Sequence, residues 1–487
     1  MLTTCDAPLF QHFIGGDWVP ANGNRVAERR NPADTDDLVG YIPLAGPEAI
    51  DTAVDAAARV AAAWKATPPP ARGQILFHVA RVLSERAEEV AMTLTREQGK
   101  TIAEAHGEVR LTIEILEYFA GEGRRFSGRT FPSAQAGRFV YTILQPVGTV
   151  GLITPWNFPL AVPLWKIAPA LVAGNTIVWK PSRLTAAVSD AIVRLFIAAD
   201  LPPGVLNLVY GEGLRVGHAL AAHPKVRAIS FTSSYEVGTQ IYATAAEQFK
   251  KVQCEAGGKN AVIVLEDADV ERAALAVAQG AFRYAGQRCT ATSRVIVQDH
   301  VADQLVEALT AHARAMVVGD GLDPHTDMGP LSDQPQMSRV LEFLEVGRRE
   351  GRMTCGGSRL TGPGHDRGWF VPPTIFDNVS AEAQIAQEEI FGPVVAVIRV
   401  PSFSSALAAA NGNRYGMTTS VFTRDIGRVL EASDGLECGV VHINAATIGA
   451  EVHVPFGGIK HTGVGAREMG PDAVEFYCEA KVVYVGQ

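Results

Sequence analysis

The sequence predicts an α/β protein made of two successive open α/β units, with a separate stretch of strand ahead of the first. Three observations carry this reading. From residue 147 onward, apolar strand-like runs at 147–153, 176–179, 206–209 and 228–231 alternate with helical stretches such as 186–199 and 215–222, and strands alternating with helices imply parallel βαβ units in an open sheet. A second series opens with apolar runs at 261–265 and 294–298 and extends to about 460. At 487 residues the chain exceeds one ordinary core, since domains average about 100 to 200 residues.

Taken in order, residues 12–45 are rich in Gly, Asn, Pro and Asp and read as short strands and turns. An alanine-rich stretch at 53–63 is plain helix. Over 74–98, Ile75, Leu76, Val79, Val82, Leu83, Val90 and Leu94 recur at helical spacing while Arg81, Glu85, Arg86, Glu88 and Glu89 take other faces. This predicts one amphipathic helix ended by Gly99. A second helix is expected over 103–120, before a Gly and Arg cluster at 121–129. Residues 138–145 alternate as a strand does, but with apolar residues on both faces, so both faces want cover. The tail, 474–485, reads as strand again.

Composition narrows the function. A net charge of -9, with 47% hydrophobic and 20% charged residues, describes a globular protein and argues against a nucleic-acid partner, which calls for clustered Lys and Arg. The six cysteines, at 5, 254, 289, 355, 438 and 478, form no Cys-x-x-Cys pair and have no paired His. No metal is therefore expected, and a reducing compartment fits. Residues 1–10 lack a basic and an apolar region, and no apolar run reaches the roughly 18 residues of a membrane helix, which gives the expectation of a cytoplasmic protein.

The stretch 282–294, Phe-Arg-Tyr-Ala-Gly-Gln-Arg-Cys-Thr-Ala-Thr-Ser-Arg, centres on Cys289. Backbone freedom, an adjacent cation and small hydroxylated neighbours suit a nucleophilic thiolate; a small core residue is the alternative. No Gly-x-Gly-x-x-Gly occurs, so a dinucleotide would bind without that fingerprint. The candidate is Phe231 to Gly238, where a strand runs into a helix whose Ser-Ser start would receive a phosphate or serve simply as a cap. Asn157, between Pro155 and Pro159, is either a fixed donor to an oxyanion or the closure of a turn. Glu255, followed by two glycines, is either a general base or a turn-flanking charge.

Seven ordered blocks decide among these alternatives: Pro155-Trp-Asn-Phe-Pro159, Lys180-Pro-Ser182, Phe231 to Gly238, Glu255-Ala-Gly-Gly-Lys259, Gly286-Gln-Arg-Cys-Thr290, Glu388-Glu-Ile-Phe-Gly-Pro-Val394 and Pro455-Phe-Gly-Gly-Ile-Lys460. With them, from Ile14-Gly-Gly-Asp-Trp18 to Glu479-Ala-Lys-Val-Val-Tyr484, the chain resembles NAD(P)-dependent aldehyde dehydrogenases over nearly its whole length. The resemblance implies two Rossmann-like domains plus a small β oligomerisation arm. The cofactor domain would be 1–126 with 147–256, the catalytic domain 257–460, and the arm and tail 127–146 with 461–487. It further implies that Cys289 attacks the aldehyde, Asn157 and the Cys289 N–H hold the oxyanion, Glu255 activates the hydrolytic water and Glu468 assists the proton path. Trp156, Lys180, Ser182, Arg183, Ser234, Gly257, Glu389 and Phe391 would face the cofactor, and Phe158, Trp165, Arg283, Arg288 and Phe456 the substrate. Two departures stand out: Ser233 replaces the usual glycine of Phe-Thr-Gly-Ser, and Cys254-Glu-Ala replaces Leu-Glu-Leu.

Arg183 stands where NAD-preferring relatives often carry Glu, so NADP is expected, with NAD as the alternative. Arg283 and Arg288 stand where relatives taking apolar aldehydes carry an aromatic and a small residue. A short anionic aldehyde is therefore expected. The Cys289 run and His442-Ile-Asn-Ala-Ala-Thr447 most resemble α-ketoglutaric semialdehyde (2,5-dioxopentanoate) dehydrogenases, with glyceraldehyde-type enzymes as runner-up. Two further alternatives, an acylating relative and a catalytically silent family member, fit less well: acylating relatives usually lack the carboxylate that Glu255 provides, and a silent member would not be expected to keep Cys289, Asn157 and Glu255 together. A homodimer or homotetramer is expected.

Overall fold

The structure, a computed structural model, describes residues 7–20 and 25–486. Cys5 and most of the N-terminal stretch read above for targeting lie outside the described residues. Two open, mostly parallel sheets dominate. The first has eight strands in the order Asp17–Val19, His12–Ile14, Leu206–Leu208, Thr176–Lys180, Thr149–Ile153, Val226–Thr232, Lys251–Glu255 and Gly463–Val464. Its interior strands Thr149–Ile153 and Thr176–Lys180 are buried at every residue. Such near-continuous apolar runs are what a parallel sheet covered on both faces requires. The second sheet has seven strands, Arg352–Cys355, Thr374–Asp377, Val394–Val400, Thr292–Gln298, Asn260–Val264, Thr418–Phe422 and Val440–Ile443, parallel except at the Arg352–Cys355 edge.

In the first sheet, Ile153 pairs in register with Lys180 and Phe231, and Thr232 with Glu255. The segments carrying Asn157, Lys180 to Arg183, Ser234 and Glu255 thus all leave the carboxyl edge of one parallel sheet, where open α/β sheets bind ligands. In the second sheet, Asn260–Val264 and Thr292–Gln298 are adjacent and parallel, which puts the Cys289 loop, just ahead of Thr292, beside the segment following Glu255. A third, antiparallel sheet joins Thr130–Phe131, Phe139–Pro146 and Cys478–Val485. It leaves Phe139, Val482 and Tyr484 at 55%, 50% and 65% exposure, so the two-sided apolar strand is only partly covered within one chain.

Two element predictions need correction. The helix expected over 74–98 is two, Pro69–Glu85 and Ala87–Gln98. Arg86 leaves helical geometry (φ -109°, ψ 18°) and its N–H is shared among the carbonyls of Val82, Leu83 and Ser84. Gly99 does end the second helix, at φ +97° with its N–H on the Thr95 carbonyl, the left-handed close that glycine permits. The tail expected as strand from 474 is helix over Gly470–Phe476, with Pro471 in its first turn, and strand only over Cys478–Val485.

Candidate active site

A cavity of about 810 Å³ lies at the carboxyl edge of the first sheet, and Asn157, Phe158, Trp165, Glu255, Arg283, Arg288, Cys289, Phe456 and Glu468 all line it. The four residues expected to do chemistry and the five expected to meet substrate therefore share one space. The strand Lys251–Glu255 delivers Glu255 from its last position, buried. Asn157 is buried too, and its side-chain amide has no protein partner among the described residues.

The Cys289 loop is held from outside. Asn260, the first residue of its strand, donates its amide to the carbonyls of Cys289 (2.8 Å) and Ala291 (2.9 Å), and its oxygen receives the Thr418 N–H (3.2 Å). The Thr447 hydroxyl donates to the Thr290 carbonyl at 2.7 Å. The Cys289 N–H donates to no protein acceptor among the described residues. Ahead of the loop, Tyr284, Ala285 and Gly286 form a left-handed run (φ +57°, +52° and +68°). This costs free energy in two L residues, and the Glu104 carboxylate stabilises it by accepting the Tyr284 N–H at 2.8 Å.

The electrostatics correct one expectation. Arg288 was expected to favour a thiolate at Cys289. Instead, burial foremost, then Glu255, Glu389 and Glu468, push the thiol up to about 12, and Arg288 offsets only part of this. Glu255 lines the same cavity. Burial and the neighbouring Glu468 also raise Glu255 well above the ordinary carboxylate range, against the Gly458 N–H on its Oε1 (3.2 Å) and the charges of Lys166 and Arg467. Its Oε2 is buried without a partner. Glu468 is ion-paired with Lys166, whose ammonium also donates to the Ser230 hydroxyl at 3.0 Å.

Arg288 lies over the Tyr284 ring, guanidinium carbon to ring centroid 3.6 Å, and Tyr284 stacks on Phe158 at 4.9 Å. No carboxylate is ion-paired with Arg288 among the described residues, and its Nε is buried without a partner, as is Trp165 Nε1. Arg283 is exposed at the rim.

A second group lies along the same sheet edge outside the cavity. Lys180 is buried and falls to about 8 through burial and the nearby Arg183, with no acidic group countering either. Arg183 is exposed and unpaired among the described residues. Ser182 caps the turn Arg183–Thr185, and Ser234 caps the helix Tyr235–Ala246, whose N-terminus faces this edge. Trp156 meets Phe391 edge-on at 5.4 Å. The Glu389 carboxylate accepts the Gly258 N–H at 2.9 Å and occupies the space that a Cβ on Gly257 would take. Two cations without a salt bridge among the described residues and a helix N-terminus capped by a serine side chain fit a dinucleotide with its phosphates.

Sequence reasoning missed Lys100, Glu104, Glu108, Lys166, Asn260 and Tyr284. Two carried a readable signal. Lys166 is the one charge in the apolar run Ala161–Ala173, and Glu108 falls on the buried stripe of Ile102–Glu122 with Ala105, Val109 and Thr112; charged groups there demand partners.

Residues 18–483 match the Aldehyde dehydrogenase family. The chain is 44% identical over 477 residues, 98% of each chain, to the alpha-ketoglutaric semialdehyde dehydrogenase of Bacillus subtilis. It is 40% identical over 476 residues, 97% of this chain and 98% of the other, to the alpha-ketoglutarate semialdehyde dehydrogenase of Haloferax volcanii. A solved NADP-dependent enzyme of Escherichia coli superposes with a TM-score of 0.94 at 38% identity, covering 98% of both chains. The chain belongs to the aldehyde dehydrogenase family.

Proposed function

We propose that this aldehyde dehydrogenase oxidises a short, hydrophilic, anionic aldehyde, foremost α-ketoglutaric semialdehyde, to its carboxylic acid with NADP. The observation that carries the substrate class is Arg288: a guanidinium on the cavity wall, fixed by Tyr284, with no ion pair and a buried unpartnered Nε. The residue is half-buried, and Glu104 lies near it without a salt bridge among the described residues; a ligand carboxylate would supply the partner that Nε lacks. The unpartnered Trp165 indole N–H adds a donor that an alkyl chain would leave unsatisfied. The two named semialdehyde dehydrogenases support the same class.

In the proposed reaction Cys289 Sγ, its proton released to solvent through the cavity, adds to the aldehyde carbon and leaves an oxyanion on the former carbonyl oxygen. The free Asn157 amide and Cys289 N–H donate to the resulting oxyanion. When bound, the nicotinamide supplies the hydride acceptor. Glu255 then takes a proton from the water that hydrolyses the thioester, and Glu468, held by Lys166, lies next in line for that proton. Lys180, Ser234 and Trp156, at the edge of the first sheet, would hold the dinucleotide together with Glu389, which precedes the strand Val394–Val400 of the second sheet; the second sheet also carries the nucleophile.

The substrate test compares α-ketoglutaric semialdehyde, succinic semialdehyde, glyceraldehyde and hexanal. One charge-assisted bond contributes about 1.5–3 kcal/mol. Arg288→Ala should therefore cut kcat/KM for the two anionic aldehydes roughly 10- to 100-fold while changing hexanal by less than about threefold. Equal losses on all four, or hexanal as best wild-type substrate, would overturn the anionic reading.

For the cofactor, Arg183→Glu places a carboxylate where the unpaired guanidinium meets a 2′-phosphate. We expect the NADP-to-NAD ratio of kcat/KM to fall by about 100-fold; an unmoved ratio refutes the assignment. The exposed Phe139, Val482 and Tyr484 of the three-stranded sheet support burial against further copies in a homodimer or homotetramer. The free thiols at 254, 289, 355, 438 and 478 support a reducing, cytoplasmic setting.

A further inference from the structure

The prolines flanking Asn157 restrict its backbone, yet what grips the residue is a buried charge from a distant helix–turn–helix. Lys100 follows the left-handed Gly99, and its ammonium donates to the Asn157 carbonyl oxygen at 2.9 Å. It forms an ion pair with Glu108, both side chains fully buried. The other Glu108 oxygen accepts the N–H groups of Leu160 (2.9 Å) and Ala161 (3.0 Å), the first donors of the helix Ala161–Ala173. Lys100 also lies 4.7 Å from the Phe158 ring centroid and 4.8 Å from that of Tyr284. One pair of side chains thus fixes both ends of 157–161 and touches the two stacked rings that support Arg288. Lys100 does not line the cavity, and both Glu108 oxygens are engaged by Lys100 and the Leu160 and Ala161 N–H groups, so each acts through the backbone it holds.

We propose that Lys100, clamped by Glu108, is the positioning residue of the oxyanion donor: it fixes the Asn157 backbone so that the side-chain amide stays aimed into the cavity. The inference rests on the reading of Asn157 as that donor. An aimed donor acts on the transition state and not on the bound aldehyde, so its loss lowers the rate at saturating substrate.

The experiment is a double-mutant cycle on the full chain, reading the first-turnover rate of reduced-cofactor formation at saturating aldehyde for Asn157→Ala, Lys100→Met and the pair. Asn157→Ala should lower this rate about 10²- to 10³-fold, as loss of one oxyanion donor does. Lys100→Met should lower it at least roughly 10-fold in the wild-type background and less than about twofold in Asn157→Ala, since there is no longer an amide to aim. A purely structural Lys100 would shift unfolding and rate alike in both backgrounds, and equal rate losses in the two overturn the inference. A rate that falls in Asn157→Ala but holds in Lys100→Met also overturns it. An unchanged rate in Asn157→Ala overturns the oxyanion reading itself, and this inference with it. If Lys100→Met does not fold, Glu108→Gln, which keeps an acceptor for the Leu160 and Ala161 N–H groups, completes the same cycle with the same outcomes.

Discussion

Cys289→Ala is expected to abolish aldehyde oxidation, by about 10⁴-fold or more, whereas Glu255→Gln should release close to one equivalent of reduced cofactor per site and then stall. The two variants separate the half-reactions. Without Sγ no covalent adduct forms, so neither burst nor turnover remains. Without the Glu255 carboxylate the adduct is still oxidised but its thioester is not hydrolysed, and steady turnover falls by about 10²- to 10⁴-fold, the usual worth of a positioned base. The pH dependence follows from the cavity. Burial and the charge of Glu468 raise Glu255 well above the ordinary carboxylate range, so its basic form accumulates only as pH rises past that range, and deacylation should climb with pH there. Glu468→Gln removes a charge that opposes ionisation and should move that limb to lower pH. Stopped-flow burst amplitudes and steady-state rates across pH check all three statements. A full-rate steady state in Glu255→Gln, or a limb that moves upward in Glu468→Gln, removes Glu255 from the proposed role.

The two parallel sheets were legible because their strands carry a pattern that tertiary context reinforces: Thr149–Ile153 and Thr176–Lys180 are apolar apart from Thr149, Thr176 and Lys180, and buried throughout. The break at Arg86 was not. Val79, Val82 and Leu83 before it and Val90 and Leu94 after it are all buried, and their spacing continues across the break, so periodicity alone joins the two helices. Gly470–Phe476 was missed because seven residues are too few to express a helical period, and its Ala473, Val474 and Phe476 read equally well as strand.

Within the site, the motifs pointed to groups that meet the cavity, and those are short-range signals. What holds them is long-range. Asn260 reaches Cys289 across 29 positions, Lys100 reaches Asn157 across 57, and Lys166 reaches Glu468 across 302. No spacing rule links such pairs. The only trace is a polar residue on a stripe that should be apolar, as with Glu108 and Lys166. Arg288 shows the opposite failure: read from its neighbour in sequence it should have favoured the thiolate, but burial first, and then three carboxylates from other segments, outweigh it.

Arg294→Met is expected to cost about 3–5 kcal/mol of stability, because two buried carbonyls and one part-buried carbonyl lose their donor together at roughly 1–3 kcal/mol each, less than additively. Arg294 belongs to the run that resembles semialdehyde dehydrogenases, yet it does not face the cavity. It is buried in the strand Thr292–Gln298, donating Nε to the Lys259 carbonyl (2.9 Å) and its two terminal nitrogens to the carbonyls of Ala409 (2.9 Å) and Ala410 (3.0 Å). The latter two end the helix Phe403–Asn411, so the guanidinium serves as its C-terminal cap. Burial lowers Arg294 to about 10, so it stays charged at neutral pH. The planar fork spans three acceptors at once; a lysine ammonium in the same place cannot, and Arg294→Lys should recover only part of the loss. Because Lys259 precedes Asn260, which holds the Cys289 carbonyl, the first-turnover rate should fall along with stability. Urea unfolding of wild type, Arg294→Lys and Arg294→Met gives the measure, and an Arg294→Met within about 1 kcal/mol of wild type would show that the helix end and the Lys259 carbonyl find other donors.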